Sequence, residues 1–215
     1  MTNHTPPVFD DQFRKQLTDL FSWRRDVRRF KETPVPEALI TEILDYAQSA
    51  PSVGNSQPWR WVRIVRPDLR KKLAENYERH RQKGGEIYEN EQADLYNKLK
   101  LSGFDKAPLQ FAVFCDKSTG QGLGLGRQTM PETLEYSVVA MITTFWMHAH
   151  SYGLGVGWVS VIDPKEVTQM LDVPDTWRLV ACLCVGWPEE QLVIPELETA
   201  GWQARTPISR TVLVR

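Results

Sequence analysis

Residues Trp23–Phe30 read Trp-Arg-Arg-Asp-Val-Arg-Arg-Phe, four arginines around one aspartate in a chain whose formal net charge is only -1. Arginine is always charged and presents a planar fork of donors that matches a phosphate. Arg24, Arg25 and Arg28 can therefore cradle one dianion. Asp26 runs against that purpose, because a carboxylate beside a phosphate site repels the ligand. It is either neutralised by the arginines or present for another reason. Taken alone, the stretch also reads as a basic turn with a local ion pair.

Outward from this stretch the chain alternates helices and strands. On the N-terminal side, Phe13, Leu17, Leu20 and Phe21 recur at helical spacing and predict a short amphipathic helix leading into the arginines. On the C-terminal side, Thr33–Pro36 is an extended connector. Pro36 and Glu37 then open a helix with Leu39, Ile40, Ile43, Leu44 and Ala47 on one side. It stops at the loop Ala50–Trp59, Ala-Pro-Ser-Val-Gly-Asn-Ser-Gln-Pro-Trp, whose prolines, glycine, amides and hydroxyls suit a rigid connection presenting backbone groups to a ligand. A strand follows over Trp61–Val65.

Asp68–Arg81 reads as a charged surface helix that Gly84-Gly85 should break. A second, weakly apolar helix over Glu86–Lys100 is expected between these glycines and Gly103, as a solvated excursion or a lid over a site. Leu109–Cys115 is a buried strand. Gly120–Pro131 carries a glycine at every second position from 120 to 126, matches neither the P-loop nor the dinucleotide fingerprint, and reads as a flexible loop. Pro131–Tyr152 is apolar on nearly all faces, so it should be buried centrally or against a partner subunit. Gly153–Val161 and Trp177–Trp187 complete the strands, with a short helix from Asp163-Pro164 between them. Glu189–Arg215 is a polar tail with a last apolar scrap at Val212–Val214. No repeat or linker divides the chain, and an α+β layered domain spanning 1–215 is the expected architecture.

Composition excludes several classes. The charge balance gives no drive toward nucleic acid or an anionic membrane. Met1–Asp10 does not read as a signal peptide, and Val138–Ala149 is too short to span a bilayer. The three cysteines and four histidines form no ligand pattern, so no metal is expected. Cys182 and Cys184 alternate within a strand and should share one face; buried free thiols fit a reducing cytoplasm. The eight tryptophans only weakly favour a planar ligand.

Four stretches in order carry a resemblance: the arginine cluster, the Pro-Ser…Gln-Pro-Trp loop, the Gly-x-Gly-Trp strand at Gly155–Trp158, and Gly-Trp-Gln-Ala-Arg at Gly201–Arg205. They resemble the nitroreductase-like flavoproteins from about Phe13 to Arg205. The resemblance narrows to the flavin-cleaving 5,6-dimethylbenzimidazole synthase branch on three features. These are Asp26 where ordinary nitroreductases commonly have serine, Leu-Gly-Arg-Gln-Thr-Met-Pro-Glu-Thr-Leu-Glu-Tyr at Leu125–Tyr136, and Ser160 after Trp158-Val159.

The resemblance implies a mixed, mainly antiparallel sheet packed by helices, a lid at 85–104 and a homodimer holding flavin between its subunits; the C-terminal extension at 206–215 has no counterpart in it. It also implies reduced flavin mononucleotide (FMN) as substrate, O2 as co-substrate, no metal, and a separate flavin reductase supplying the reduced flavin. Asp26 and Ser160 would be catalytic. Arg24, Arg25, Asp26, Val27, Arg28, Pro51, Ser52, Gly54, Gln57, Leu99, Gly157, Trp158, Ser160 and Arg205 would contact the flavin, with Arg24, Arg25, Arg28 and Arg205 on its phosphate. Fragmenting the ring requires proton transfers at carbon and nitrogen, which a positioned carboxylate can perform. Two alternatives predict different behaviour: an NAD(P)H-dependent FMN nitroreductase keeps its flavin intact, and a non-enzymatic flavin-binding protein needs the arginines but neither Asp26 nor Ser160.

Overall fold

The computed structural model describes residues 6–206. The predicted Val212–Val214 scrap and nearly all of the expected extension at 206–215 lie outside the described residues. Asp10 opens helix α1 (Asp11–Trp23) by accepting the Phe13 amide at 2.8 Å. Helix α2 (Glu37–Ala47) follows the extended connector, and strand β1 (Trp59–Arg63) follows the proline-rich loop. Next come α3 (Pro67–Gly85), α4 (Asn90–Lys98), β2 (Leu109–Asp116) and α5 (Thr133–Ser151). The chain continues through β3 (Gly155–Val159), α6 (Pro164–Met170), β4 (Trp177–Gly186) and α7 (Glu196–Thr199).

The strands form one antiparallel sheet in the order β1-β2-β4-β3. Every residue of β2 is buried, as a central strand covered on both faces requires. Side chains alternate between two apolar layers. Phe111, Val113, Ala181 and Leu183 face α2 and α5, where Ile40, Ile43, Met141, Ile142 and Phe145 meet them. Ala112, Phe114, Cys182 and Cys184 face the opposite layer with Phe30, Leu73, Tyr77 and Val167. The two cysteines of β4 thus share a face, as their spacing predicts. Burial pushes the Cys115 thiol up to about 11 and the Cys184 thiol further in the same direction, so both stay protonated.

Three local expectations differ from the structure. β1 starts two residues early, because Trp59 already pairs with Cys115. α3 runs past Arg81 and ends at Gly85, on the glycines expected to break it; they make room for the Tyr96 ring, which a Cβ on Gly85 would meet at 3.0 Å. The loop at Gly120–Pro131 is docked, as described below. α5 buries one face on the sheet and leaves Tyr136 and Val139 outward. Among the described residues, no helix is long and apolar enough to cross a membrane.

Candidate flavin site

The arginine stretch leaves the helix at Arg24, whose extended backbone ends α1. It then runs beside β3. Asp26 bridges Val156 in parallel, and the Val27 amide donates to the Val156 carbonyl at 3.0 Å. The approach is close enough to require glycine. A Cβ on Gly157 would lie 2.1 Å from the Val27 carbonyl oxygen, and one on Gly155 would lie 2.7 Å from a Val27 methyl. Gly157, expected to admit a ligand, here admits the backbone of Val27. Phe30 ends the stretch fully buried, and Lys31 donates to the Trp187 carbonyl at 2.8 Å.

This docking fixes Asp26. Its Oδ1 accepts the Trp158 amide at 2.7 Å, and its Oδ2 accepts Arg28 Nε at 3.1 Å. Arg28 Nη2 lies 3.1 Å from the same Oδ2. Burial pushes the Asp26 carboxyl above the ordinary carboxylate range, opposed by the Arg28 charge, the Trp158 N–H and Arg24. A buried carboxyl whose pKa is raised in this way is a candidate for proton exchange.

The remaining arginines make an electropositive corner. The Arg24 guanidinium lies over the Trp146 ring, 4.9 Å from its centroid. Arg25 donates to its neighbour's carbonyl, Arg24 O, at 2.6 Å and to the Val193 carbonyl. Burial, Arg205 and Arg24 together lower the Arg25 pKa from its ordinary value, which places the Arg205 charge at this corner too. Burial, with Arg24 and Arg25 nearby, likewise holds the His150 imidazole below its usual value. Arg29 is turned away onto Glu196, at 2.6 Å. Among the described residues, Arg25 Nε and Arg28 Nη1 are buried without a hydrogen-bond partner. Unpaired buried donors beside uncompensated cations are what a phosphate would satisfy, so the residues fit one. A small hollow of about 40 Å³ opens here, walled by Trp23, Asp26, Trp146, His150 and Glu196.

The Pro-Ser…Gln-Pro-Trp loop folds on itself and on the glycine-rich loop. Ser52 Oγ accepts the Gln57 amide at 3.1 Å, while Gln121 Nε2 donates to Gln57 Oε1 at 3.1 Å and to the Asn55 carbonyl at 2.8 Å. Gly54 has φ +56°, and a Cβ there would lie 2.9 Å from the Leu125 carbonyl. Glycine spacing at 120–126 therefore serves a loop-on-loop contact. The two loops wall an open cavity of about 650 Å³ lined by Gly54, Asn55, Leu123, Leu125 and Gln128. Pro51 is exposed.

Within one protomer, then, Arg25, Asp26, Val27 and Arg28 line the hollow, while Arg24, Gly157, Trp158 and Arg205 lie near this stretch without lining it. The chain does not bring Pro51, Ser52, Gly54 and Gln57 into the same hollow. Ser160 is exposed just past β3, two residues from the amide that binds Asp26. Leu99 is buried in another hollow, with Tyr77, Arg81 and Phe104. Three wall residues escaped sequence reading. Trp146 and His150 lie four apart on α5 and share a face, a spacing hidden within a helix apolar all round. Glu196 sits in a polar tail with no pattern around it. The 85–104 segment reaches the C-terminal arm: the Tyr88 ring packs edge-on to Trp202 at 5.2 Å and Tyr96 lies 6.3 Å from it.

Comparison with known proteins shows the family. Residues 21–187 match the Nitroreductase family. A 5,6-dimethylbenzimidazole synthase from Rhodospirillum rubrum is 52% identical over 203 residues, covering 94% of this chain and 96% of the relative. One from Rhodobacter capsulatus is 45% identical, covering 93% and 96%. An iodotyrosine deiodinase solved with FMN and 3-iodo-L-tyrosine superposes with a TM-score of 0.72 at 25% identity, covering 93% of this chain and 97% of that one. Among the described residues, no group of three or more His, Cys, Asp or Glu is placed to hold a metal ion.

Proposed function

The chain belongs to the nitroreductase family and within it to the 5,6-dimethylbenzimidazole synthases, and we propose how its residues carry out that reaction. The enzyme forms the lower ligand of vitamin B12 from reduced FMN and O2. The flavin supplies the carbon skeleton and the site of oxygen attack. Arg24, Arg25 and Arg205 hold its phosphate, with Arg28 Nη1 turned to the same region. Trp146 keeps the Arg24 guanidinium flat and partly shielded from water, which strengthens its hold on an anion.

Asp26 moves protons during ring fragmentation. The observation that carries this reading is its setting: a buried carboxyl clamped by the Trp158 amide and Arg28, at the edge of a cationic corner. Ser160 is a hydrogen-bond donor to the reacting ring, and Val27, Gly157 and Trp158 set the floor beneath it. Pro51, Ser52, Gly54 and Gln57 come to the flavin from the second subunit of a homodimer, which accounts for their distance from the arginines within one protomer. The 85–104 segment, with Leu99, is the lid, and it excludes water once flavin is bound. The chain works as one domain in the cytoplasm, where its three buried free thiols are stable and a separate flavin reductase supplies reduced FMN.

The test is one anaerobic reduction of protein-bound FMN, admission of air without added nicotinamide, and chromatography of the products. Dimethylbenzimidazole is expected. Recovery of intact FMN alone would transfer the assignment to an NAD(P)H-dependent nitroreductase.

A further inference from the structure

We infer that Arg28 is a positioning residue for this reaction: its guanidinium fixes the Asp26 carboxylate against β3, and Glu196 steadies the far side of that guanidinium. The inference rests on the reading that Asp26 moves protons, and it departs from treating the three arginines of the motif as equivalent phosphate ligands.

The geometry separates them. Among the described residues no carboxylate is hydrogen-bonded to Arg24 or Arg25; one stacks on Trp146 and the other donates to carbonyl oxygens. Arg28 commits Nε and Nη2 to Asp26 Oδ2, both at 3.1 Å, and its side chain is only 10% exposed. Its third nitrogen, Nη1, faces Glu196 Oε2 at 3.9 Å, beyond hydrogen-bond reach. Glu196 is itself anchored through Oε1 to Arg29 at 2.6 Å. A chain of alternating charge thus runs from Arg29 through Glu196 and Arg28 to Asp26, ending on the Trp158 amide.

A fork on one carboxylate oxygen and an amide on the other leave the carboxyl no rotational freedom. The plane of Asp26 is therefore set before a substrate arrives, which is how a positioned acid or base gains its effect. The same contact sets charge. The groups facing Asp26 are Arg28 and Arg24 from its own stretch, the Trp158 amide from β3 and the neutral Cys184 thiol from β4, with Glu196 of α7 behind Arg28. Arg28 is the largest of these favouring the carboxylate. Without it, burial is opposed only by the Trp158 amide and Arg24, and the carboxyl moves further up.

The experiment is single-turnover dimethylbenzimidazole formation at saturating reduced FMN, so that affinity drops out, measured across pH for the unmutated enzyme, Asp26→Asn, Arg28→Gln, Arg28→Lys and Glu196→Gln. The limb that Asp26 sets should vanish in Asp26→Asn. In Arg28→Gln it should move to higher pH by at least about one unit, the size of losing a close opposite charge. Arg28→Lys, which keeps the charge, should stay near the unmutated limb with a lower plateau rate. Glu196→Gln should move the limb to lower pH, because a negative charge behind Arg28 is gone. This variant decides the matter if Arg28→Gln does not fold. A limb unmoved in Arg28→Gln, or in Glu196→Gln when the former is unavailable as folded protein, overturns the inference. A limb that survives Asp26→Asn overturns the underlying role of Asp26 instead.

Discussion

At Asp26 two opposing effects meet in one carboxyl: burial favours the proton, and Arg28 with the Trp158 amide favours the charge. Asp26→Asn keeps an acceptor for that amide but cannot take up or release a proton. FMN affinity in equilibrium titration should hold or rise, while single-turnover dimethylbenzimidazole formation should slow roughly 10²–10⁴-fold. A normal rate would end the proposed role. Folding carries the same signature. Because the Asp26 pKa is raised in the folded state, its contribution to stability is present below the ordinary carboxylate pKa and is lost as pH rises through the raised one. Denaturant midpoints of the unmutated protein and Asp26→Asn should therefore diverge across that window, the unmutated protein losing stability with rising pH relative to the variant. For Arg25, a charge-assisted bond worth about 1.5–3 kcal/mol implies that Arg25→Ala weakens FMN at least about tenfold. Unchanged affinity would remove it from the phosphate site. These residues were legible in sequence because the motif places its charges side by side, and in an extended stretch Asp26 and Arg28, two apart, point the same way. His150 and Glu196 were not, since only tertiary folding brings α5 and α7 to the motif.

Element boundaries followed periodicity where an element's own residues decide them. β2 and β4 read as apolar runs because both faces are covered, and α2 read as one apolar stripe. The misread points depend on distant partners. α3 runs past Arg81 to Gly85, where the glycines leave room for Tyr96, and the glycine-rich loop is ordered by Gly54, some seventy positions away. At Gly157 the close approach was foreseen but not its object. Gly157→Ala would drive a methyl into the Val27 carbonyl and push the arginine stretch off β3. We expect a loss of about 1–3 kcal/mol in urea unfolding, the usual size of overpacking, with weaker FMN binding. Stability unchanged by this substitution would contradict the docking. For the 85–104 segment, hydrogen exchange should slow when reduced FMN is bound, with Tyr88 and Tyr96 held on Trp202. Identical exchange in the two states would count against a lid.

Over the whole molecule, α1 buries none of its residues, and Phe13, Leu17, Phe21 and Trp23 are left facing outward beside α5, where Tyr136 and Val139 are also exposed. So much apolar surface on adjoining helices is unusual for a monomer. Sedimentation at micromolar concentration should give a homodimer, and charged substitutions at Leu17 and Val139 should dissociate it and lower FMN affinity together. A monomer that binds FMN normally would refute the shared site. β3 is the last strand of its sheet, and the stretch at Asp26–Val27 lies along the side that no other strand occupies. An uncovered strand edge invites pairing with another chain and aggregation. The stretch proposed to hold the ligand would therefore also guard the fold's solubility, so substitutions that loosen it should show up in the cell as insoluble protein before they show up as an impaired enzyme.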